Sequence, residues 1–355
     1  MNQASTEVLE SWKEIGCCGL NVAVQIDYTR LAELAQENYY KVFAVPSWRH
    51  TGIYPEREWS FVSMLLVAST CNACFNIPGV PGAKFTVPHF NSAATRPLRG
   101  SFALYRRFVE HWDGKIILAR DLWPHIETEK ALGEFFGGDP KMPALHLKQR
   151  ALLDYVVGLE QHFQGNPLNI IEEASTWDED CKVNLVRAFS PIGKGLAQLL
   201  VEKFPVAYGE DVQIFPETEL RFPFNKRAQL VPLMLHGRAS DSQGKLPRVG
   251  DVDSLGAIVD YEIPRILRAL GVLQFSATLS ELVDNWKEIA KDSSFEIQIR
   301  GATAVAVHAL MSHINQLRLA RWMTKLNMCH IDYWLWSAGL QAKGLYPHIV
   351  ITNSN

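Results

Sequence analysis

The sequence predicts a mostly α-helical fold with few short strands. Three observations carry that prediction. Apolar residues recur at helical spacing through several long segments. Alternating runs of the kind that form strands are short and few. Hydrophobic residues make up 47% of the 355 and charged residues 21%, enough for a sizeable core and too apolar for disorder.

The elements follow in chain order. "DYTRLAELAQENYYKVF" (27–43) sets Leu31, Leu34, Ala35 and Tyr39 on one helical stripe. "FVSMLLVAST" (61–70) is the longest apolar candidate for a membrane span, at half the ~20 residues such a span needs. "SFALYRRFVEHW" (101–112) groups Phe102, Tyr105, Phe108 and Val109, with Ser101 as candidate N-cap. Residues 181–204 predict two helical stretches broken near Pro191, and 301–323 a long helix rich in Ala, Val and Leu. "DVQIF" (211–215) and "FEIQIR" (295–300) carry the strand signals. Gly- and Pro-rich loops fall at 76–100, 136–144, 205–225 and 237–250. The first is long enough to run over an active site. No repeat, low-complexity tract or linker divides the chain. Residues 1–355 read as one compact unit, with two helical lobes and a site between them as one arrangement of it.

Charge and cysteine usage exclude several function classes. The net charge of -3 lacks the basic excess that binds nucleic acid through its phosphates. A nucleotide-sized substrate stays open, because it needs only a local site. The polar, acidic N-terminus does not read as a signal peptide, and no membrane partner is expected. Six cysteines in a chain this long do not make a disulfide framework, so a reduced, cytoplasmic setting is expected. "CNAC" (71–74) lacks a second CxxC, and Cys17 and Cys18 are adjacent, which favours packed thiols over a redox pair or half a zinc site. His308 and His313, five apart, miss a shared helical face. Neither metal nor cofactor is expected.

The acids raise the sharper question. "HIDYWLW" (330–336) sets Asp332 among Tyr333, Trp334 and Trp336. In a helix Asp332 and Trp336 share a face and Trp334 points the other way. An acid beside large apolar rings is either partnered or reserved for chemistry. Asp253, before "SLGAIVDY", reads as a helix N-cap, whereas Asp251 sits where no cap is needed. Asp260 precedes Pro264 and can brace the backbone there.

"NKRAQLV", "GDVDSL", "VDYEIPRILRALGVLQFS", "FEIQIRGAT" and "IDYWLW" resemble, in order, the C-terminal blocks of the queuosine salvage protein family. "EREWSFVSMLLVASTCNACF" and "LRGSFALYRRF" resemble its upstream blocks more loosely. The resemblance covers most of residues 45–340. It implies an all-helical fold shaped like DNA glycosylases. The implied activity is hydrolysis of the bond between a 7-deazaguanine base and ribose 5-phosphate, with a small nucleotide or nucleoside as substrate and no direct contact with nucleic acid. It implies Asp332 as nucleophile or stabiliser of the cationic sugar, with Tyr333 and Trp336 limiting water. It implies Asp251 as the acid that reads the base, and Tyr261 and Asp260 near the pocket. His50, Asn72, Lys226 and Arg227 match binding positions, either cation holding phosphate. The plain alternatives are a partnered structural acid at Asp332, core packing at Tyr261 and a surface ion pair at Lys226 and Arg227.

This chain departs from the family pattern at Ile258 (for Phe), Glu262 (for Arg), Asn76 (for Trp), Ser337 (for Asp) and Glu58 (for Asp). A lost aromatic and a reversed charge change what a base pocket accepts. A glycosidase for another modified nucleoside, a non-catalytic nucleotide binder and a helical scaffold are the competing readings.

Overall fold

The computed structural model describes residues 1–17, 22–91, 93–94, 96–179, 183–216, 218–342 and 344–353. Cys18 and the first two residues of the 181–204 segment lie outside them. Of the chain, 53% is helix and 9% strand, so the mostly helical prediction holds and a strictly all-helical one does not.

The N-terminal half runs α1 (Gln3–Cys17), β1 (Val24–Ile26), α2 (Tyr28–Asn38), α3 (Glu58–Ser69), β2 (Thr86–Val87), β3 (Leu98–Arg99) and α4 (Ser101–Trp112). There follow α5 (Ala119–Ile126), α6 (Glu129–Phe136), α7 (Leu145–Phe163), α8 (Leu168–Ala174), β4 (Ser175–Asp178), β5 (Val183–Val186) and α9 (Leu196–Lys203). The remainder is β6 (Val212–Ile214), β7 (Arg221–Pro223), α10 (Lys226–Ser240), β8 (Arg248–Val249), α11 (Glu262–Ala269), β9 (Leu273–Phe275), α12 (Ala277–Asp284), α13 (Ser294–Leu319) and α14 (Met328–Gln341). The strands form small sheets: β1 with β9, β2 with β3, β6 with β7, and β4-β5-β8. Buried apolar side chains from nearly all these helices join one hydrophobic cluster. Among the described residues no helix is long and apolar enough to cross a membrane.

Several expectations are corrected. "FEIQIR" is the start of α13, not a strand. Residues 296–304 are buried on every side, so no amphipathic stripe reveals the helix. The local signal was the cap: Ser293 accepts from the Glu296 amide, and Glu296 accepts from the Asp292 amide. Where the first helical stretch of the 181–204 segment was expected, Val183–Val186 forms β5, pairing with β4 and β8. α2 stops at Asn38, short of 43, and the N-cap of α4 is Gly100, one residue before Ser101. Asp253 caps no α-helix: it sits in a short 3-10 turn (Val252–Ser254), and residues 255–260 are extended or irregular. "DVQIF" does contain a strand, β6. The loop at 76–100 holds the β2–β3 hairpin, and that at 237–250 begins inside α10.

Candidate active site

Three helices, α4, α10 and α14, and three connecting segments converge on one cavity. α10 supplies Lys226, Leu230, Leu233 and Met234, which helical spacing lays along one face. Its first turn is fixed from behind. Asp211 accepts from the Lys226 backbone amide at 2.8 Å and is itself gripped by both terminal nitrogens of buried Arg300. Asn225, just before, takes a left-handed conformation (φ 48°) that asparagine tolerates. The Lys226 ammonium donates to the Asn72 carbonyl at 2.6 Å, and the Asn72 amide donates to the Tyr105 hydroxyl at 2.9 Å. The lysine is thereby held at the cavity wall with further protons to give.

The aromatic walls come from distant parts of the chain. α14 presents Asp332, Tyr333 and Trp336, while Trp334 faces away and packs edge-on against Phe43. Trp48 meets Tyr54, Tyr333 and Trp336 at ring separations of 5.9, 5.8 and 6.4 Å. Tyr54 in turn meets Tyr105 at 5.1 Å. Gly237 permits this closure: a Cβ there would lie 2.2 Å from the Pro46 carbonyl oxygen and 3.0 Å from the Trp48 indole nitrogen. The space enclosed is about 630 Å³ counting its open mouth. It is narrow, as suits a flat ring between aromatic faces.

Two carboxylates face this space. Asp260 stands one residue before Tyr261 at the entrance to α11. Its Oδ1 accepts from the Glu262 and Ile263 amides at 2.8 and 3.1 Å, the bracing expected before Pro264. Asp332 makes no hydrogen bond or ion pair among the described residues, and it is half-buried with its free surface on the cavity. Burial, then the like charge of Asp260, pushes Asp332 well above the usual carboxylate range, with Lys226 opposing. Burial also raises Asp260, with the nearby Glu262 carboxylate adding to the rise, while Lys226 and the two amides oppose it. Burial lowers Lys226 to about 8, against the attraction of Asp260. Asp260 and Lys226 each bias the other's charge, and both bear on Asp332.

Of the expected site residues, Asp332, Tyr333, Trp336, Asp260, Tyr261, Lys226 and Asn72 line the cavity. Asp251, Arg227 and His50 do not. Asp251 binds the amides of Ala188 and Phe189 through both oxygens, at 2.7 and 2.9 Å, plus the Ser254 hydroxyl. It therefore ties two loops together, outside the cavity lining. Arg227 is fully buried and donates to the Thr70 carbonyl. His50 is exposed, its carbonyl capping the turn at Ile53 and Tyr54. Sequence reasoning missed Trp48, Tyr54, Phe75, Ser101 and Tyr105. Phe75, Ser101 and Tyr105 stood in the quoted upstream blocks, but nothing in those blocks marked them as cavity residues. Cys71 and Cys74 are buried free thiols, as expected. No group of three or more potential metal ligands occurs among the described residues.

Comparison with known proteins agrees with the resemblance. A protein from Sphaerobacter thermophilus named queuosine 5′-phosphate N-glycosylase/hydrolase is 23% identical over 317 residues, 89% of this chain and 88% of its own length. Like-named proteins from Schizosaccharomyces pombe (30% identity, 43% of this chain, 41% of theirs) and Mus musculus (24%, 55% and 52%) match shorter stretches. The sequence profile described as queuosine salvage protein matches residues 53–352, and the chain belongs to that family.

Proposed function

We propose that this chain is an N-glycosyl hydrolase that cleaves queuosine 5′-phosphate to queuine and ribose 5-phosphate. The observation that carries this reading is the pair of raised carboxylates, Asp332 and Asp260, beside one lysine in a narrow aromatic cavity. Cleavage of an N-glycoside passes through a cationic sugar. It needs an anion near the anomeric carbon and a proton for the departing base. Environment divides those roles between paired acids. Asp260 has Lys226 and two amides favouring its charged form, whereas Asp332 has burial and no partner, favouring its neutral form. The anion therefore falls to Asp260 and the proton to Asp332, the reverse of the sequence-based expectation that Asp332 carries the charge. Water adds its hydroxyl to the anomeric carbon, the base leaves with the proton of Asp332, and the second proton of the water restores that acid.

Trp48, Tyr54, Tyr333 and Trp336 stack the flat base. Lys226, whose ammonium already spends one donor on Asn72, serves the ribose phosphate with the others. Arg227 has no path to it. A binder that had lost turnover would gain nothing from an unpartnered acid, because such a group costs stability. Ile258 lines the cavity where the family pattern carries Phe; that favours, as a second reading, the same chemistry on another modified nucleoside. Likeness in shape to DNA glycosylases, a cytoplasmic setting and action on the free nucleotide rather than on nucleic acid belong to the same proposal and rest on the family resemblance and the charge balance.

The test is incubation with purine and 7-deazapurine nucleosides and 5′-monophosphates in excess chelator, with released base read by mass. Release from queuosine 5′-phosphate is expected. Release only from a different base supports the second reading, and release from none overturns both.

A further inference from the structure

The first turn of α11 holds a buried ion cluster that the proposed chemistry does not use. Glu262 is 3% exposed. Its carboxylate meets the Lys84 ammonium at 2.9 Å and an Arg265 terminal nitrogen at 2.7 Å. The partners belong to different walls of the cavity. Lys84 pairs in a β-bridge with Asn76, next to the cavity residue Phe75, and its ammonium also lies 4.9 Å from the centre of the Tyr261 ring. Arg265 reaches across to donate to the Gly339 carbonyl on α14, the helix that carries Asp332. At that crossing the backbones nearly touch: a Cβ on Gly339 would lie 3.1 Å from the Glu262 carbonyl oxygen. One acid thus joins the Phe75 segment, the Asp260–Tyr261 corner and α14. Glu262 itself does not line the cavity. A desolvated ion cluster contributes little net stability but fixes geometry, since every partner must stay in place.

We propose that Glu262 is a positioning residue: clamped between Lys84 and Arg265, it sets the separation of the Asp260 and Asp332 carboxylates. Its kinetic consequence rests on the glycosidase reading above; its structural consequence does not. The experiment compares wild type with Lys84→Met, Glu262→Gln and the conservative Lys84→Arg, by base release from queuosine 5′-phosphate and by crystal structure. Lys84→Met and Glu262→Gln are expected to lower kcat about 10–100-fold with KM little changed, because a misplacement of ~1 Å costs up to ~10²-fold. Lys84→Arg keeps the wild-type kcat. In the crystals the Asp260–Asp332 separation shifts by ~0.5 Å or more in the two damaging variants, the tolerance of a productive site. If Glu262→Gln does not fold, Lys84→Met decides, because Glu262 then still has Arg265. Variants that melt lower but keep the wild-type separation and kcat per folded molecule overturn the proposal. A wild type that releases no base overturns the glycosidase reading, and the carboxylate separation still decides the role of Glu262.

Discussion

Replacing Asp332 by Asn separates chemistry from folding in one variant. The side chain makes no hydrogen bond among the described residues, so the isosteric change breaks no contact. At pH 4 the two proteins should melt within the ~0.5 kcal/mol typical of substitutions that touch no special feature. The pH dependence follows from the raised pKa of Asp332. A carboxyl that is easier to protonate folded than unfolded contributes its full stability below the unfolded value of ~3.9, and loses it as pH rises through the folded value. Asn does not titrate. Asp332→Asn should therefore overtake wild type as pH rises from 4, by ~1.4 kcal/mol for each unit of pKa elevation. Turnover moves the opposite way. Loss of a positioned general acid costs ~10²–10⁴ in rate, about 3–5 kcal/mol of transition-state stabilisation. The assay is thermal melting from pH 4 to 9 and base release on the same preparations. A variant that melts lower at every pH while its folded fraction turns over normally would show Asp332 to be a structural acid and refute the reasoning.

Other outcomes follow from the same geometry. Lys226→Met removes the cation that lowers Asp260, so the acid limb of the kcat/KM profile should move to higher pH; an unmoved limb excludes the coupling. Lys226, lowered to about 8 by burial, contributes stability above its unfolded pKa that is lost as pH falls through 8. Wild type should accordingly gain on the order of 3 kcal/mol over Lys226→Met between pH 8 and 10.4, read by denaturant titration. Asp251→Asn turns an amide donor toward the Ala188 or Phe189 N–H, costing ~1–3 kcal/mol of stability while kcat per folded molecule stays unchanged. A loss of substrate affinity in that variant would return Asp251 to the site. Gly237→Ala drives a methyl against Pro46 and Trp48, and overpacking of this kind costs ~1–3 kcal/mol. Displacing the Trp48 wall should also raise KM, and an unchanged KM would remove Trp48 from the base site.

How far the sequence was legible depends on the range of the interactions involved. The face shared by Asp332 and Trp336, the opposite facing of Trp334 and the bracing by Asp260 are local consequences of helix geometry and of Pro264, and they were readable. Lys226 followed from the family motif, which could not separate it from Arg227. Adjacent residues on a helix point to different sides, and only the packing of α10 against α3 decides which cation reaches the cavity. Asp251 and Asp260 look alike in sequence, each an acid beside apolar residues. What distinguishes them is the amide pair at Ala188 and Phe189, brought to Asp251 by the parallel pairing of β5 with β8. That strand was itself misread as helix, so the partner could not be foreseen. Trp48 and Tyr54 line the cavity through contacts spanning most of the chain, and no local spacing marks them; helical spacing put Tyr105 on the buried stripe of α4 but could not show that it meets a cavity. The misreading of 295–300 has the converse cause. Uniform burial erases the 3.6-residue pattern, leaving a chance alternation of Phe295, Ile297 and Ile299.

Single-turnover hydrolysis of queuosine 5′-phosphate in ¹⁸O-labelled water, with excess wild type, Asp260→Asn and Asp332→Asn run side by side, tests the central claim most directly. Wild type should release one queuine per substrate, with the label in ribose 5-phosphate. Each single variant should be slowed at least ~10²-fold while remaining folded. Wild type that binds the nucleotide without releasing base, or variants of either acid that release it at the wild-type rate, would contradict that claim.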